Sequence, residues 1–214
     1  MVLEEERRQV VTFCRRLRPD GLGVATSGNV SFRSGDLVAV SPSAVDYDEL
    51  TPDRVGVHRL DGTPVAAQLP PTTEMPMHLA VYERTAARAV VHTHSTAATV
   101  VSTLVDELPA IHYLIAMFGG PVRVAPYATY GTDELATGVV RALEGRTACL
   151  LGNHGAVAIG DTLSEAYTGA LYLEWLCEVW LRATAHGRPR LLPPAEIELV
   201  AERISGYGTS RRRD

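Results

Sequence analysis

The run Val90, Val91, His92, Thr93, His94 sets two imidazoles two residues apart in an apolar stretch. On a β-strand, side chains at i and i+2 share a face. His92 and His94 can therefore reach one ion, or sit in the core as a pair of hydrogen-bonded rings. His154 lies between Gly152 and Gly155 at the tip of a predicted hairpin, where a ring can be aimed inward or left in solvent. Three histidines around an open position form the donor set expected of catalytic zinc, and imidazole also suits other divalent ions. Glu74 is the fourth candidate. It stands at a predicted helix N-terminus, where it could ligate a resting ion, act as a base, or serve as an ordinary N-terminal carboxylate. The chain contains no lysine, all 20 basic residues being arginine. Schiff-base catalysis by a lysine amine is thereby excluded, and carbanion chemistry would need another electrophile, for which a metal is the natural choice.

A second group of residues suits an anion. Thr26, Ser27, Gly28 and Asn29 supply hydroxyls, an amide and backbone N–H groups on a small-residue loop. Thr72 and Thr73 add hydroxyls at a helix start, where free N–H groups attract phosphate. Ser41, Pro42 and Ser43 add a third edge. Each segment alone also reads as ordinary cap and turn chemistry. There is no GxxxxGK[ST] loop, which argues against a nucleotide triphosphate site.

The elements that must position these residues follow from periodicity. Residues 3–18 form an amphipathic helix with Val10, Val11, Cys14 and Leu17 on its apolar side. Two strands, 30–33 and 37–40, are joined by a tight turn at 34–36, and 55–60 is a third strand ending in a turn at Asp61 and Gly62. Pro70 to Glu74 signals a helix start, with threonine as cap and Glu74 in the first turn, and the helix runs to Arg84. Residues 89–94 form a buried strand, Ser95 opens a helix, 111–117 is a packed apolar segment, and 122–125 is a short strand. Thr132 caps a helix over 133–143. Residues 148–151 and 156–159 form the hairpin that carries His154. Thr162 caps a long helix ending near Gly187. Pro193 and Pro194 start the last helix, with Tyr207 just beyond it.

A 214-residue chain with 46% hydrophobic and 21% charged residues suits one α/β domain. Its net charge of -5 argues against nucleic-acid binding, and the basic run 211–213 reads as a solvated tail. No apolar run is long enough to span a membrane, and residues 1–18 lack the core of a signal peptide. Three scattered cysteines, Cys14, Cys149 and Cys177, fit a reducing cytoplasm.

Taken in order, the segments TSGNVSFR (26–33), SPS (41–43), TTE (72–74), HTH (92–94), IHY (111–113), APYATYG (125–131) and NHG (153–155) resemble the class II aldolase/adducin family over nearly the whole chain. The resemblance implies a single three-layer α/β/α domain over 1–214 with a central, mainly antiparallel sheet and a flexible tail over 208–214. It implies a cytoplasmic, zinc-dependent homotetramer with active sites at subunit interfaces. His92, His94 and His154 would bind the zinc, and Glu74 would ligate the resting ion and then handle protons. Gly28, Asn29, Ser43, Ala44, Thr72 and Thr73 match the phosphate-binding positions. Tyr113, from a neighbouring subunit, matches a catalytic tyrosine, and Tyr207 matches a C-terminal tyrosine that closes over substrate. The implied reaction is reversible cleavage of a ketose 1-phosphate, L-fuculose 1-phosphate first among them, to dihydroxyacetone phosphate and L-lactaldehyde. Fuculose-type members carry glycine where this chain has Ala44, so a left-handed backbone there would strain the alanine. They often carry phenylalanine where this chain has Tyr130.

Other reactions belong to the same resemblance: aldol cleavage of deoxy- or methylthio-pentulose 1-phosphates, 4-epimerisation and dehydration. The segment His112, Tyr113, Leu114 offers none of the additional acids that the last two use. A non-catalytic scaffold of the adducin type would lose the metal ligands, which this chain keeps. A hydrolytic zinc site of the HExxH kind is absent.

Overall fold

The computed structural model describes residues 1–209, with side chains through 204. A nine-stranded sheet runs through the centre: β1 (Asn29–Ser34), β2 (Leu37–Val40), β3 (Gly56–Arg59), β4 (Pro64–Ala66), β5 (Ala89–Thr93), β6 (Glu107–Leu108), β7 (Val122–Ala125), β8 (Ala148–Leu151) and β9 (Gly155–Gly160). The spatial order is β4-β3-β2-β1-β5-β9-β8-β7-β6. Every pairing is antiparallel except β7 with β8.

Alternation along the central strands assigns two cores. Ala89 and Val91 of β5 pack with α1 (Glu4–Leu17), α3 (Thr96–Ser102) and α5 (Leu163–Ala185). Val90, between them, faces the opposite way, toward α2 (Met75–Arg84) and α4 (Asp133–Ala142). A period of two in β5 thus produces the three-layer α/β/α sandwich. The threonine caps expected for α4 and α5 are present, whereas Ser95 stands at the N-cap of α3 without a side-chain cap bond. The Thr132 hydroxyl accepts from Leu135 N–H, and Thr162 and Glu165 form a reciprocal capping box at the start of α5. Glu174 of α5 accepts from the N–H groups of Ala97 and Ala98, anchoring the start of α3 to the long helix.

Several boundaries differ from expectation. Glu74 is the N-cap residue of α2 and does not lie in its first turn; its side chain caps nothing. Thr72 Oγ1 instead accepts from Glu74 N–H at 3.3 Å, which leaves the carboxylate free to point elsewhere. The segment 111–117 becomes a 3-10 helix over Tyr113–Phe118, capped by His112 Nδ1. The short strands β4 and β6 were not expected, being two or three residues of weak pattern. The last helix, α6 (Pro194–Thr209), extends past Tyr207, so that position is helical and not beyond the helix end. The tyrosine's expected closing role falls on a side chain outside the described residues, and most of the expected tail lies beyond them. Among the described residues, no helix is long and apolar enough to cross a membrane.

Candidate metal centre and active-site cleft

His92 stands at the centre of the sheet, paired across from Asn29 of β1 on one side and Val157 of β9 on the other. His94 follows one residue after the end of β5. The turn between β8 and β9 delivers His154, with Asn153 in the left-handed region at φ 55° and His154 N–H bonded to Leu151 O. The turn lies tight against β5: a Cβ added at Gly155 would sit 2.0 Å from Thr93 O. Only glycine permits that approach, and the approach brings His154 to the other two rings. The three ring centroids are 4.8–4.9 Å apart.

Glu74 completes the group. One ligand atom from each of Glu74, His92, His94 and His154 lies within 4.8 Å of all the others. His92 Nε2 is 2.9 Å from His94 Nε2 and 3.0 Å from Glu74 Oε2; His154 Nε2 is 3.3 Å from Glu74 Oε1. Oε1 is buried and makes no hydrogen bond despite that proximity. His92 Nδ1 lies 2.9 Å from Ala156 O and must donate to it, since a carbonyl only accepts. A neutral His92 ring therefore directs its Nε2 lone pair at the cluster, the arrangement that holds a metal-ligating histidine in one tautomer. Converging lone pairs and an orphaned carboxylate oxygen repel one another unless a cation lies between them, so the donor set fits a divalent ion.

The electrostatics agree. Burial holds His94 and His154 down to about 4, helped by the neighbouring imidazoles, so both rings stay neutral and able to ligate. Burial alone would raise Glu74. A positive charge at the cluster, carried by a protonated His92 or, when the rings are neutral, by a bound cation, outweighs it together with the hydrogen bond from Asn29 and keeps the carboxyl far below its usual range.

A cleft of about 410 Å³ opens over this cluster. Glu74, His94 and His154 form its floor, with His92 fully buried beneath. Gly28, Asn29, Ser43, Ala44, Thr72 and Thr73 line its other wall, so the predicted anion residues and the predicted metal ligands meet in one place. Bonds from Thr72 N–H to Ser41 O and from Ser43 N–H to Pro70 O zip two of the anion segments together. The third is held by Tyr47, which sequence reasoning missed. Its buried hydroxyl donates to Gly28 O at 2.5 Å and lies within 3.2 Å of the carbonyls of Thr26 and Ser27. Ala44 has φ 57°, so the alanine does occupy a left-handed position. Tyr127 and Tyr130, each 64% exposed, stand at the mouth. Among the described residues, Glu74 is the sole carboxylate in the lining. Tyr113 is not part of the lining; it is half-exposed beside His112.

The Class II Aldolase and Adducin N-terminal domain family model matches residues 8–181. A 5-deoxy-D-ribulose 1-phosphate aldolase of Bacillus thuringiensis is 39% identical over 97% of this chain and 99% of its own length. An L-fuculose phosphate aldolase of Escherichia coli is 38% identical over 94% of each. A solved structure of an L-fuculose 1-phosphate aldolase superposes with a TM-score of 0.91 at 37% identity, covering 94% of this chain and 96% of the other. A four-donor metal centre beneath a hydroxyl-lined cleft, on the fold that these relatives share, places the chain in the class II aldolase and adducin family, as a class II aldolase.

Proposed function

We propose that this enzyme reversibly cleaves the C3–C4 bond of a short deoxyketose 1-phosphate, releasing dihydroxyacetone phosphate and a small aldehyde. The observation that carries the reading is the meeting of Glu74 and three imidazoles with a wall of hydroxyls and amides in a chain without lysine. L-Fuculose 1-phosphate, yielding L-lactaldehyde, is the leading substrate. The relative from Bacillus thuringiensis favours a second reading, 5-deoxy-D-ribulose 1-phosphate, whose cleavage at the same bond yields acetaldehyde.

His92, His94, His154 and Glu74 would hold the ion, taken as zinc, which when bound supplies Lewis-acid polarisation of the ketose oxygens. The side chains of Asn29, Ser43, Thr72 and Thr73, with the backbone of Gly28 and Ala44, bind the phosphate and fix C1, so that C2 and C3 lie over the cluster. Glu74 moves a proton at the carbon that becomes the nucleophile in the synthetic direction. Tyr113, supplied by a neighbouring subunit of a homotetramer, orients or protonates the aldehyde-side oxygen. In support, Tyr113 is 48% exposed, away from its own cleft, and Tyr172 and Trp175 are exposed as well. The absence of a second carboxylate among the described residues of the lining favours cleavage over epimerisation or dehydration. Free, buried Cys14, Cys149 and Cys177 support a cytoplasmic site of action.

The test is a panel of ketose 1-phosphates, scored both for dihydroxyacetone phosphate and for the aldehyde. Highest kcat/KM on L-fuculose 1-phosphate supports the leading reading; preference for the 5-deoxypentulose selects the second. Epimerised or dehydrated sugar without triose phosphate would overturn both.

A further inference from the structure

Behind the cleft, a buried hydrogen-bond chain runs from Glu74 into the layer between the sheet and α2. Asn29 Nδ2 lies 2.9 Å from Glu74 Oε2. Asn29 Oδ1 lies 2.5 Å from His78 Nε2, and His78 Nδ1 lies 2.6 Å from Ser31 Oγ. Ser31 Oγ lies 2.6 Å from Tyr82 OH. His78 and Ser31 are fully buried, and Tyr82 is 2% exposed. None of the three reaches the cleft, and the proposed reaction uses none of them. The placement follows from two periodicities. Asn29 and Ser31 are two apart on β1 and share the face toward α2, while Glu74, His78 and Tyr82 recur every four residues along α2.

Donor and acceptor counting fixes the direction of every bond. An ionised Glu74 only accepts, so Asn29 must present its amide N–H to it and its carbonyl to His78. A carbonyl only accepts, so His78 Nε2 must carry the proton and Nδ1 must be the acceptor. Ser31 then donates to Nδ1, and Tyr82 donates to Ser31. Burial holds His78 down to about 3, which keeps the ring neutral and the sequence of donors intact.

We propose that His78 is a positioning residue, locked by Ser31 and Tyr82 in the Nε2–H tautomer, which holds the Asn29 amide with its N–H groups toward Glu74 and the cleft. Without that lock the Asn29 amide is free to rotate. A flipped amide would put a carbonyl oxygen against the Glu74 carboxylate and remove a donor from the anion wall. The kinetic consequence rests on the aldolase reading of the cleft; the tautomer does not.

The experiment pairs nitrogen-15 NMR of the histidine rings in the metal-loaded protein with kinetics of two variants. The expected spectrum shows His78 protonated at Nε2 and bare at Nδ1. His78→Phe keeps the ring's shape and loses the donor; kcat/KM should fall by about 10–100-fold, the scale seen when outer partners of a metal centre are removed. The loss should fall partly on KM, because Asn29 also faces the anion wall. His78→Gln restores an amide N–H close to the Nε2 position and should recover most of the loss. If the phenylalanine variant does not fold, Ser31→Ala decides: it removes one hydroxyl and should admit the second tautomer in the spectrum. An Nδ1–H ring in the parent protein overturns the proposal. So does a folded His78→Phe enzyme with parental kcat and KM, or a glutamine variant no better than phenylalanine. A parent enzyme without aldolase turnover defeats the proposed function, and the ring spectrum still decides the role of His78.

Discussion

The two walls of the cleft are built differently. The metal wall rests on β5 and the β8–β9 turn, in the middle of a nine-stranded sheet, and His92 is paired through its strand on both sides. The anion wall is made of three loop segments held by Tyr47 and two cross-loop backbone bonds, and it includes a strained backbone at Ala44. The difference teaches a division of labour. Ligand geometry, which must hold to a fraction of an ångström, is fixed in and at the ends of regular elements. His92 lies in β5, His94 directly follows it, His154 sits in the tight turn between two paired strands, and Glu74 is the N-cap residue of α2. The phosphate recognition proposed for the other wall, which is satisfied by many N–H and O–H donors, tolerates loops.

Damage to the metal wall should be the larger. His92→Ala removes a central ligand and leaves Glu74 facing a gap. Metal content, read by elemental analysis, should fall well below that of the parent. Aldolase turnover should drop on the order of 10³-fold or more, since Lewis-acid assistance is worth several kcal/mol.

On the anion wall, Thr73→Ala should leave metal content unchanged and raise KM for the ketose phosphate by roughly tenfold, the value of one hydrogen bond to a charged group. Loss of metal in that variant would show that the two walls are one mechanical unit.

A third prediction concerns the layer behind both walls. The folded-state pKa of His78, about 3, lies below its ordinary 6.5. Between those values the unfolded chain binds a proton that the folded chain refuses. The stability from this residue is therefore full above 6.5 and falls as pH drops through the window, at up to about 1.4 kcal/mol per pH unit. Urea unfolding at about pH 5 and pH 6 should show a shallower pH slope in His78→Gln than in the parent. Equal slopes would mean that His78 is protonated in the folded protein.

The smallest effect belongs to Ala44. Replacing it with glycine removes a left-handed penalty of about 1–2 kcal/mol and adds about 0.5–1 kcal/mol of unfolded-chain entropy. The variant should gain no more than about 1.5 kcal/mol in unfolding free energy while metal content stays constant. A clear loss of stability would show that the alanine methyl makes a contact that outweighs its strain.

The same contrast governs what the sequence made legible. Two histidines at i and i+2 in an apolar run and one between glycines mark the metal wall through local spacing alone, and the strand and hairpin that carry them lie where periodicity put them. The long helices were equally plain, because Thr132 and Thr162 are strong caps. Glu74 was legible as a candidate ligand at the helix start, but one position off: it is the N-cap residue of α2 and not part of its first turn. Thr72, two residues earlier, bonds its N–H and leaves the carboxylate free for the cluster. The strands β4 and β6 have too few residues to show a period. Tyr47 and the chain through His78 and Ser31 left no local signal, since contacts between residues 19 to 51 apart are made by the fold. The one hint was the spacing of Glu74 and His78, which sets both on one face of α2.

The central claim is that His92, His94, His154 and Glu74 hold one divalent ion on which cleavage depends. It is tested most directly by measuring release of dihydroxyacetone phosphate from L-fuculose 1-phosphate and 5-deoxy-D-ribulose 1-phosphate before chelation, after verified metal removal, and after addition of zinc. The account predicts about one ion per chain before treatment, loss of turnover on removal and recovery on addition. Undiminished turnover in metal-free protein would contradict it.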